Sequence, residues 1–140
     1  AAQSHFSDAD VVIGAAAVSD YRPAETQEQK IKKTAETLRL DLVKNPDIIQ
    51  TLASGKQGQF VVGFALETEN EEENAREKLR RKQLDAIVLN SLRDPGAGFG
   101  GDRNKVSFID KNSGIKSFEL KSKADVARDI LREIDARISK

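Results

Sequence analysis

The sequence lacks several residue types on which common classes of protein function depend. Its 140 residues contain no cysteine, methionine or tryptophan, and only one histidine, His5. Without cysteine, these residues can form no disulfide, thiolate metal site or thiol nucleophile. A single histidine disfavours a histidine-ligated zinc site and a Ser-His-Asp triad. Because no methionine is present, we expect the sequence to be a piece of a longer protein.

Net charge, aromatic residues and long apolar runs are also scarce. Lysine plus arginine equals aspartate plus glutamate at 23 each, so no net field favours nucleic acid or an anionic membrane. Aromatic residues make up 5% of the chain, which offers few rings for stacking bases. No apolar stretch approaches the length of a membrane span, and no signal peptide is visible. We therefore expect a cytoplasmic protein that binds neither nucleic acid nor membrane, with one domain over residues 1–140.

Residues 11–33 combine the features of a ligand site. The apolar run 11–13 is short enough for a buried strand of a parallel sheet, and the small residues 14–17 leave room for a ligand against the backbone. Charged side chains follow at Asp20 and Arg22, and three lysines lie within residues 30–33. In α/β sheets, a strand that runs into such groups places them at the carboxyl edge, where ligands bind.

Each of these features also has a simpler interpretation. The small residues 14–17 equally allow a helix to pack closely on the strand. Asp20 can cap a loop, and an isolated run of lysines is usually a solvated charge cluster. The combination favours a ligand site, while each part alone leaves both interpretations open.

The next segment predicts a strand and a helix. Leu38, Leu40 and Leu42 alternate with charged residues, which is typical of a half-buried strand. Asn45 is the expected N-cap of the helix that follows, with Pro46 at its first position. The residues expected to form its buried stripe are Ile48, Ile49 and Leu52.

Two further apolar strands are predicted at residues 60–65 and 86–89. Between them, Thr68 and Glu71 fit a capping box for a charged helix over about residues 69–82. The apolar anchors expected for this helix are Ala75 and Leu79. Asn74, Lys78 and Lys82 lie four residues apart and therefore on one face, which taken alone indicates a solvated surface.

The carboxyl-terminal part predicts a loop, a hairpin and a helix. Residues 91–103 are rich in glycine and are expected to form a mobile lid. Strands are expected at 106–110 and 115–120, and Ser122 with Asp125 caps the last helix. The apolar stripe expected on that helix comprises Val126, Ala127, Ile130, Leu131, Ile134 and Ile138.

This order of elements predicts a Rossmann-like three-layer α/β fold, with a mostly parallel sheet and a C-terminal hairpin and helix. Four polar or aromatic side chains follow the ends of the predicted parallel strands, namely Asp20, Phe64, Glu67 and Asn90. We expect the site at this edge of the sheet.

Six ordered motifs resemble one enzyme family across almost the whole chain. Ala-Ala-Val-Ser-Asp-Tyr-Arg-Pro and Lys-Ile-Lys-Lys, at 16–23 and 30–33, resemble the phosphopantothenoylcysteine synthetases, the CTP-dependent phosphopantothenate–cysteine ligases of coenzyme A synthesis. Further motifs lie at residues 44–49, 62–68, 85–90 and 99–104. The glycine-rich front part of the family domain does not precede residue 1.

The resemblance implies a two-step ligase reaction in the pantothenate pathway. The carboxylate of 4'-phosphopantothenate attacks the α-phosphate of CTP, which releases pyrophosphate and leaves an acyl-cytidylate. The amine of L-cysteine then attacks the activated acyl group and expels CMP. Magnesium is expected with the triphosphate. The resemblance also implies a homodimer, and FMN only where a flavin decarboxylase is fused upstream.

The resemblance also assigns the site residues. Lys30 is implied as a catalytic and CTP-binding residue on a flexible flap, and Glu67 and Asn90 are further candidates. The other residues implied to bind CTP are Gly14, Ala15, Ala16, Asp20, Pro46, Asp47, Ile48, Ile49, Phe64, Lys78 and Lys82. The metal ligands are unknown, with Asp20, Glu67 and Asp102 as candidates.

Two other classes of function remain as alternatives. A strand that runs into small residues is compatible with a Rossmann-type NAD(P) oxidoreductase, although no Gly-x-Gly-x-x-Gly follows a strand. A non-catalytic nucleotide-binding or dimerisation fragment is the second alternative, because the front of the family domain is missing.

Overall fold

A computed structural model describes residues 1–32, 36–91, 101–112 and 114–139. A short 3-10 helix at Ala2–His5 precedes the first strand. The strands and helices follow in chain order: β1 (Val11–Gly14), β2 (Tyr21–Pro23), β3 (Leu42–Lys44), α1 (Ile48–Ser54), β4 (Phe60–Glu67), α2 (Glu71–Arg81), β5 (Ala86–Ser91), β6 (Arg103–Asn104), β7 (Val106–Asp110), β8 (Ile115–Ser117), β9 (Lys121–Ser122) and α3 (Lys123–Ile138).

The central sheet has five strands in the order β1-β4-β5-β7-β8. The three strands β1, β4 and β5 run parallel, whereas β7 and β8 form the antiparallel hairpin that was expected at the carboxyl end. Outside this sheet, β2 pairs with β3 and β6 pairs with β9, in both cases antiparallel. The parallel strands end on one edge, which sets the place of the site.

Two apolar clusters cover opposite faces of the sheet. On one face, Ala53 of α1 and Leu79 of α2 pack with Ile87 of the sheet. On the other face, Ile130 of α3 packs with Val88. The expected three-layer α/β fold is therefore confirmed. Within the described ranges, no helix is long and apolar enough to cross a membrane.

The helix boundaries differ from the expected ones at two caps. The N-cap of α1 is Asp47, whose Oδ1 accepts the N–H of Gln50 at 3.1 Å, so the prediction of Asn45 as N-cap is wrong. The N-cap of α2 is Asn70, in a left-handed conformation with φ of 44° and no capping bond from its side chain. The capping box expected from Thr68 is therefore also wrong.

The predicted strand around Leu38–Leu42 is largely wrong. Leu38 and Leu40 lie outside any strand, and β3 begins only at Leu42. The partner strand β2 has three residues, so the ladder ends at the Pro23–Leu42 pair, and the leucines are exposed because no layer covers this side. The expected lid falls mostly on residues 92–100, which lie outside the described residues.

The last helix is confirmed at its cap and corrected along its stripe. The Oγ of Ser122 accepts the N–H of Asp125 at 3.1 Å, as expected for an N-cap. Three of the six expected stripe residues are buried, namely Val126, Ile130 and Ile134. The others, Ala127, Leu131 and Ile138, are exposed and do not belong to the row that is buried against the sheet.

Candidate functional site

The candidate site lies at the edge where the three parallel strands end. Gly14 closes β1, Glu67 closes β4 and Asn90 lies near the end of β5. Gly14 pairs with Gly63, whereas β4 continues to Glu67. The longer strand β4 therefore extends beyond the end of β1 and leaves a step at this edge of the sheet. Asn90 borders this step, and its buried Oδ1 accepts no hydrogen bond within the described part of the chain.

Two lysines of α2 reach the site and pair with carboxylates. Lys78 forms an ion pair with Glu67, and Lys82 Nζ lies 2.9 Å from Asp47 Oδ2. Asn74 lies on the same face of the helix and donates to Glu67 Oε2 at 3.4 Å. On this face of the helix both lysines are therefore paired with carboxylates, and the face is not a freely solvated surface. The pairs place two ammonium groups between the start of α1 and the end of β4.

The carboxyl of Asp47 stays ionised because of its neighbours. Burial acts to raise the pKa of Asp47, but the hydrogen bond from Lys82 and the capping bond from Gln50 outweigh it and hold the pKa below its ordinary value. Asp47 is consequently a carboxylate at neutral pH and forms an ion pair with Lys82. This pair joins the first turn of α1 to the last turn of α2.

A groove of about 420 Å³ lies beside this pair. Val18 and Ser19 line one wall, and Pro46 and Ile48, which flank Asp47, line the other together with Asn45. The surface of the groove is mostly apolar, and its polar groups come from Ser19 and Asn45. The groove can therefore hold the uncharged body of a ligand whose anionic end lies at the lysines.

One of the small residues at positions 14–17 is required for packing. A Cβ built on Gly14 would lie 2.9 Å from Cδ1 of Ile49, so α1 packs directly on this glycine. The close-packing interpretation therefore holds for Gly14, which is partly covered by Ile49. Ala15, Ala16 and Asp20 are exposed, as a ligand-facing segment requires.

The remaining expected site residues differ in their exposure and in their contacts with this edge of the sheet. Phe64 and Ile48 are 40% and 48% exposed, so both present apolar surface at the edge. Lys30 is exposed in the segment between β2 and β3, and within the described residues no hydrogen bond or ion pair links it to the edge. Lys33 of the same motif lies outside the described residues.

No acidic metal site forms in the described part of the chain. Groups of three or more histidine, aspartate or glutamate side chains that could hold one metal ion are absent there. Asp20, Glu67 and Asp102, the candidate magnesium ligands, therefore do not come together as a cluster. Glu67 uses its carboxylate for Lys78 and Asn74 instead.

Sequence reasoning missed the role of Asn45. Its Nδ2 donates to the carbonyl oxygen of Ser19 at 2.8 Å, and its Oδ1 accepts from Arg22 Nη1 at 2.9 Å. The helix begins at Ile48 with Asp47 as its N-cap, so Asn45 lies two residues before the cap and its side chain is used for contacts outside the helix.

Comparison with known proteins gives one family. The model of the family described as "DNA/pantothenate metabolism flavoprotein C-terminal domain" matches residues 1–138. A "Cysteine/Cysteine sulfinic acid decarboxylase" from an unknown prokaryotic organism is 49% identical over 130 residues, which are 92% of this chain and 36% of that protein. The "Coenzyme A biosynthesis bifunctional protein CoaBC" of Haemophilus influenzae is 44% identical over 131 residues, which are 93% of this chain and 32% of that protein. The chain thus spans about a third of the length of these relatives.

Solved structures give the same fold. The "C-terminal Domain of Coenzyme A biosynthesis bifunctional protein CoaBC" superposes with a TM-score of 0.78 at 34% identity, covering 99% of this chain and 59% of that one. The "DNA/Pantothenate Metabolism Flavoprotein from Streptococcus pneumoniae" superposes with a TM-score of 0.74 at 26% identity, covering 96% and 66%.

These descriptions correct the identification expected from the motifs. The family is described as a flavoprotein domain and the first relative as a decarboxylase, and neither description is that of a phosphopantothenoylcysteine synthetase. They overturn the expected CTP-dependent ligase and its keywords, the CTP and magnesium, and the partners CTP, 4'-phosphopantothenate and L-cysteine. Both alternatives, the NAD(P) oxidoreductase and the non-catalytic nucleotide-binding fragment, are overturned as well. Two of these proteins are named for coenzyme A biosynthesis. None of these comparisons tests the homodimer.

A flavoprotein family implies FMN, whose phosphate needs basic or N–H donors and whose ring needs a flat apolar slot. Among the described residues, none that lines the groove beside Asp47 has an aromatic ring that could stack on a flavin. A second groove, of about 620 Å³, is lined without a basic residue and contains the carboxylate of Asp10. Neither groove fits FMN, so no step of the chemistry is assigned to a flavin in this chain.

Proposed function

The chain belongs to the DNA/pantothenate metabolism flavoprotein C-terminal domain family, and we propose that it is one domain that binds a phosphorylated pantothenate derivative in coenzyme A biosynthesis. The ligand that fits the family's pathway is 4'-phosphopantothenoylcysteine, held at the carboxyl edge of the sheet. The place of this function is the cytoplasm.

The pair of lysines on α2 carries the proposal. Lys78 and Lys82 are four residues apart and project to one edge, where each is oriented by one carboxylate. An ammonium group has three N–H donors, so each lysine keeps donors for a second acceptor. A phosphate with a charge near –2 is the ligand group that gains most from two such ammonium groups.

The rest of the ligand fits the groove next to these lysines. The apolar lining of the groove, formed by Val18, Pro46 and Ile48, suits the aliphatic body of the ligand. Ser19 and Asn45 supply polar groups for the amides of the ligand. Within the described residues, the amide oxygen of Asn90 accepts no hydrogen bond, so we include it as an acceptor at the same edge. The other residues included in this proposed site are Gly14, Ala15, Ala16, Asp20, Lys30, Asp47, Ile49, Phe64 and Glu67.

Calorimetric titration with 4'-phosphopantothenoylcysteine tests this function. We expect Lys78→Gln and Lys82→Gln each to weaken binding about 10-fold or more, because each removes a charge-assisted bond to phosphate. The matched control is Lys121→Gln, which removes a lysine paired with Asp129 on α3 and should leave binding unchanged.

A second titration uses the same compound without its phosphate. We expect the wild type to bind it much more weakly, and each lysine variant to discriminate less between the two compounds than the wild type does, because one of the two ammonium groups remains. Binding of FMN or of CTP in preference to 4'-phosphopantothenoylcysteine, and sensitive to Lys78→Gln, would contradict the proposal.

A further inference from the structure

The two walls of the groove come from separate parts of the sequence, and one side chain joins them. Val18 and Ser19 follow β1, whereas Pro46 and Ile48 precede or begin α1. Asn45 stands in the second wall and donates from Nδ2 to the carbonyl oxygen of Ser19 at 2.8 Å. Donor and acceptor are 26 positions apart in the sequence, so this is a tertiary contact.

The amide of Asn45 is held from both ends. Arg22 Nη1 donates to Asn45 Oδ1 at 2.9 Å and to the carbonyl oxygen of Lys44 at 3.4 Å. The backbone N–H of Asn45 donates to the carbonyl oxygen of Asp20 at 2.8 Å. Because the guanidinium can only donate and the carbonyl of Ser19 can only accept, these two partners determine which way the amide points.

We infer that Asn45 and Arg22 form a clip that positions the two walls of the groove for the ligand. This inference rests on the function proposed above. The side chain of Asn45 is not needed to cap α1, because Asp47 does so. Within the described residues, Arg22 forms no ion pair, and the two hydrogen bonds of its side chain, to Asn45 and to the carbonyl of Lys44, belong to the clip.

The location of the clip separates positioning from overall stability. Arg22 belongs to the small β2–β3 ladder, whose residues are exposed and lie outside the central sheet. The backbone pairs of this ladder involve no side-chain atom of the clip. Loss of the clip should therefore widen or loosen the groove without unfolding the apolar clusters on the sheet.

Hydrogen exchange tests the clip without any ligand. In Asn45→Ala, we expect the protection of the residue-45 amide to fall about 10-fold, because its acceptor on Asp20 is no longer held nearby. The control Thr51→Ala removes an exposed hydroxyl bond on α1 and should leave this protection unchanged. Equal protection in wild type and Asn45→Ala would overturn the clip whatever binds at the site.

Titration then tests positioning, with two probes. We expect Asn45→Ala and Arg22→Ala each to weaken 4'-phosphopantothenoylcysteine about 5- to 10-fold, the scale of one lost hydrogen bond. Inorganic pyrophosphate, which reaches only the lysines, should bind both variants as it binds the wild type. The double variant should be no weaker than Asn45→Ala alone, because the two residues act through one contact.

A further variant separates the two bonds of the amide. Asn45→Asp keeps an acceptor for Arg22 but loses the donor to Ser19, so we expect it to bind the ligand as weakly as Asn45→Ala. Unchanged ligand affinity in a variant that has lost amide protection would overturn positioning. A wild type that binds pyrophosphate but not 4'-phosphopantothenoylcysteine would overturn the proposed function, while the exchange result still decides whether the clip exists.

Discussion

At the scale of single residues, Asp85 is a buried charged side chain whose contacts join separate parts of the fold. Its side chain is 4% exposed and accepts from Lys56 Nζ and Lys111 Nζ, both at 2.7 Å, and from the N–H of Val61 at 3.0 Å. A buried carboxylate is costly unless it is fully paired. Here its partners come from three separate segments, so one carboxylate ties the start of β5 to β4 and to the hairpin.

Replacing Asp85 with asparagine should lower the free energy of unfolding by about 3 kcal/mol, because two lysines lose their shared counter-charge. Urea denaturation at pH 7 measures this change. The control Asp41→Asn removes an exposed pair with Arg39, with N–O distance 3.7 Å, and should change stability by less than about 0.5 kcal/mol. Equal effects of the two substitutions would contradict this role for Asp85.

The same residue predicts a pH dependence. Burial acts to raise the pKa of Asp85, but hydrogen bonds from Lys111 and Lys56 outweigh it and hold the pKa below the ordinary value. A lowered folded-state pKa contributes stability above the unfolded pKa of about 3.9, and this contribution is lost as the pH falls through the folded value. The stability gap between wild type and Asp85→Asn should therefore narrow below about pH 4. A gap that stays constant from pH 7 to pH 2 would contradict this prediction.

At the scale of elements, α3 packs on the sheet through a row of buried apolar side chains. Val126, Ile130 and Ile134 are spaced by four residues and are buried against Val88 and Phe108. Ser122 is the N-cap of the helix, and its Oγ accepts the N–H of Asp125 in the first turn. The rest of its surface is polar or exposed, so its stability comes chiefly from this row.

Neighbouring residues of α3 provide a matched test. Ile130→Ala should lower the free energy of unfolding by about 3 kcal/mol, because it leaves a cavity against the sheet. Leu131→Ala removes a side chain that is 56% exposed and should cost less than about 0.5 kcal/mol. Chemical denaturation of both variants compares the values, and a cost for Leu131→Ala equal to that of Ile130→Ala would show that α3 is covered on its outer side.

At the scale of the whole molecule, one sheet connects two cores. Ile87 and Val88 are neighbours on β5, and alternation places one in each apolar cluster. Both side chains are almost completely buried. Loss of either cluster therefore disturbs the strand that supports the other, and we expect the described layers to unfold as a unit.

This cooperativity can be measured with one variant for each face. Ile87→Ala and Phe108→Ala should each lower stability by about 3 kcal/mol or more, yet each should still unfold in one transition. Helical circular dichroism and hydrogen exchange of the strand amides should give coincident midpoints. Separate midpoints for the α2 face and the α3 face would contradict a single cooperative unit.

Local patterns were sufficient for much of the fold. The apolar runs at residues 60–65 and 86–89 predicted strands that the structure contains, and Ser122 predicted the start of α3, because caps and periodicity act within a few residues. The same patterns failed for Leu38, Leu40 and the cap at Thr68. Those positions depend on what covers them, which alternation and spacing alone do not specify.

The contacts that shape the site were decided by tertiary structure. Lys82 meets Asp47 across 35 positions of sequence, and Asn45 meets the carbonyl of Ser19 across 26. Such partners are brought together by the packing of α1 and α2 on the sheet, because a hydrogen bond needs its atoms within about 3 Å and sequence spacing does not determine that distance. Residue order alone identified the edge of the sheet and the side chains near it. The fold determined which of them bind one another and leave a groove for a ligand.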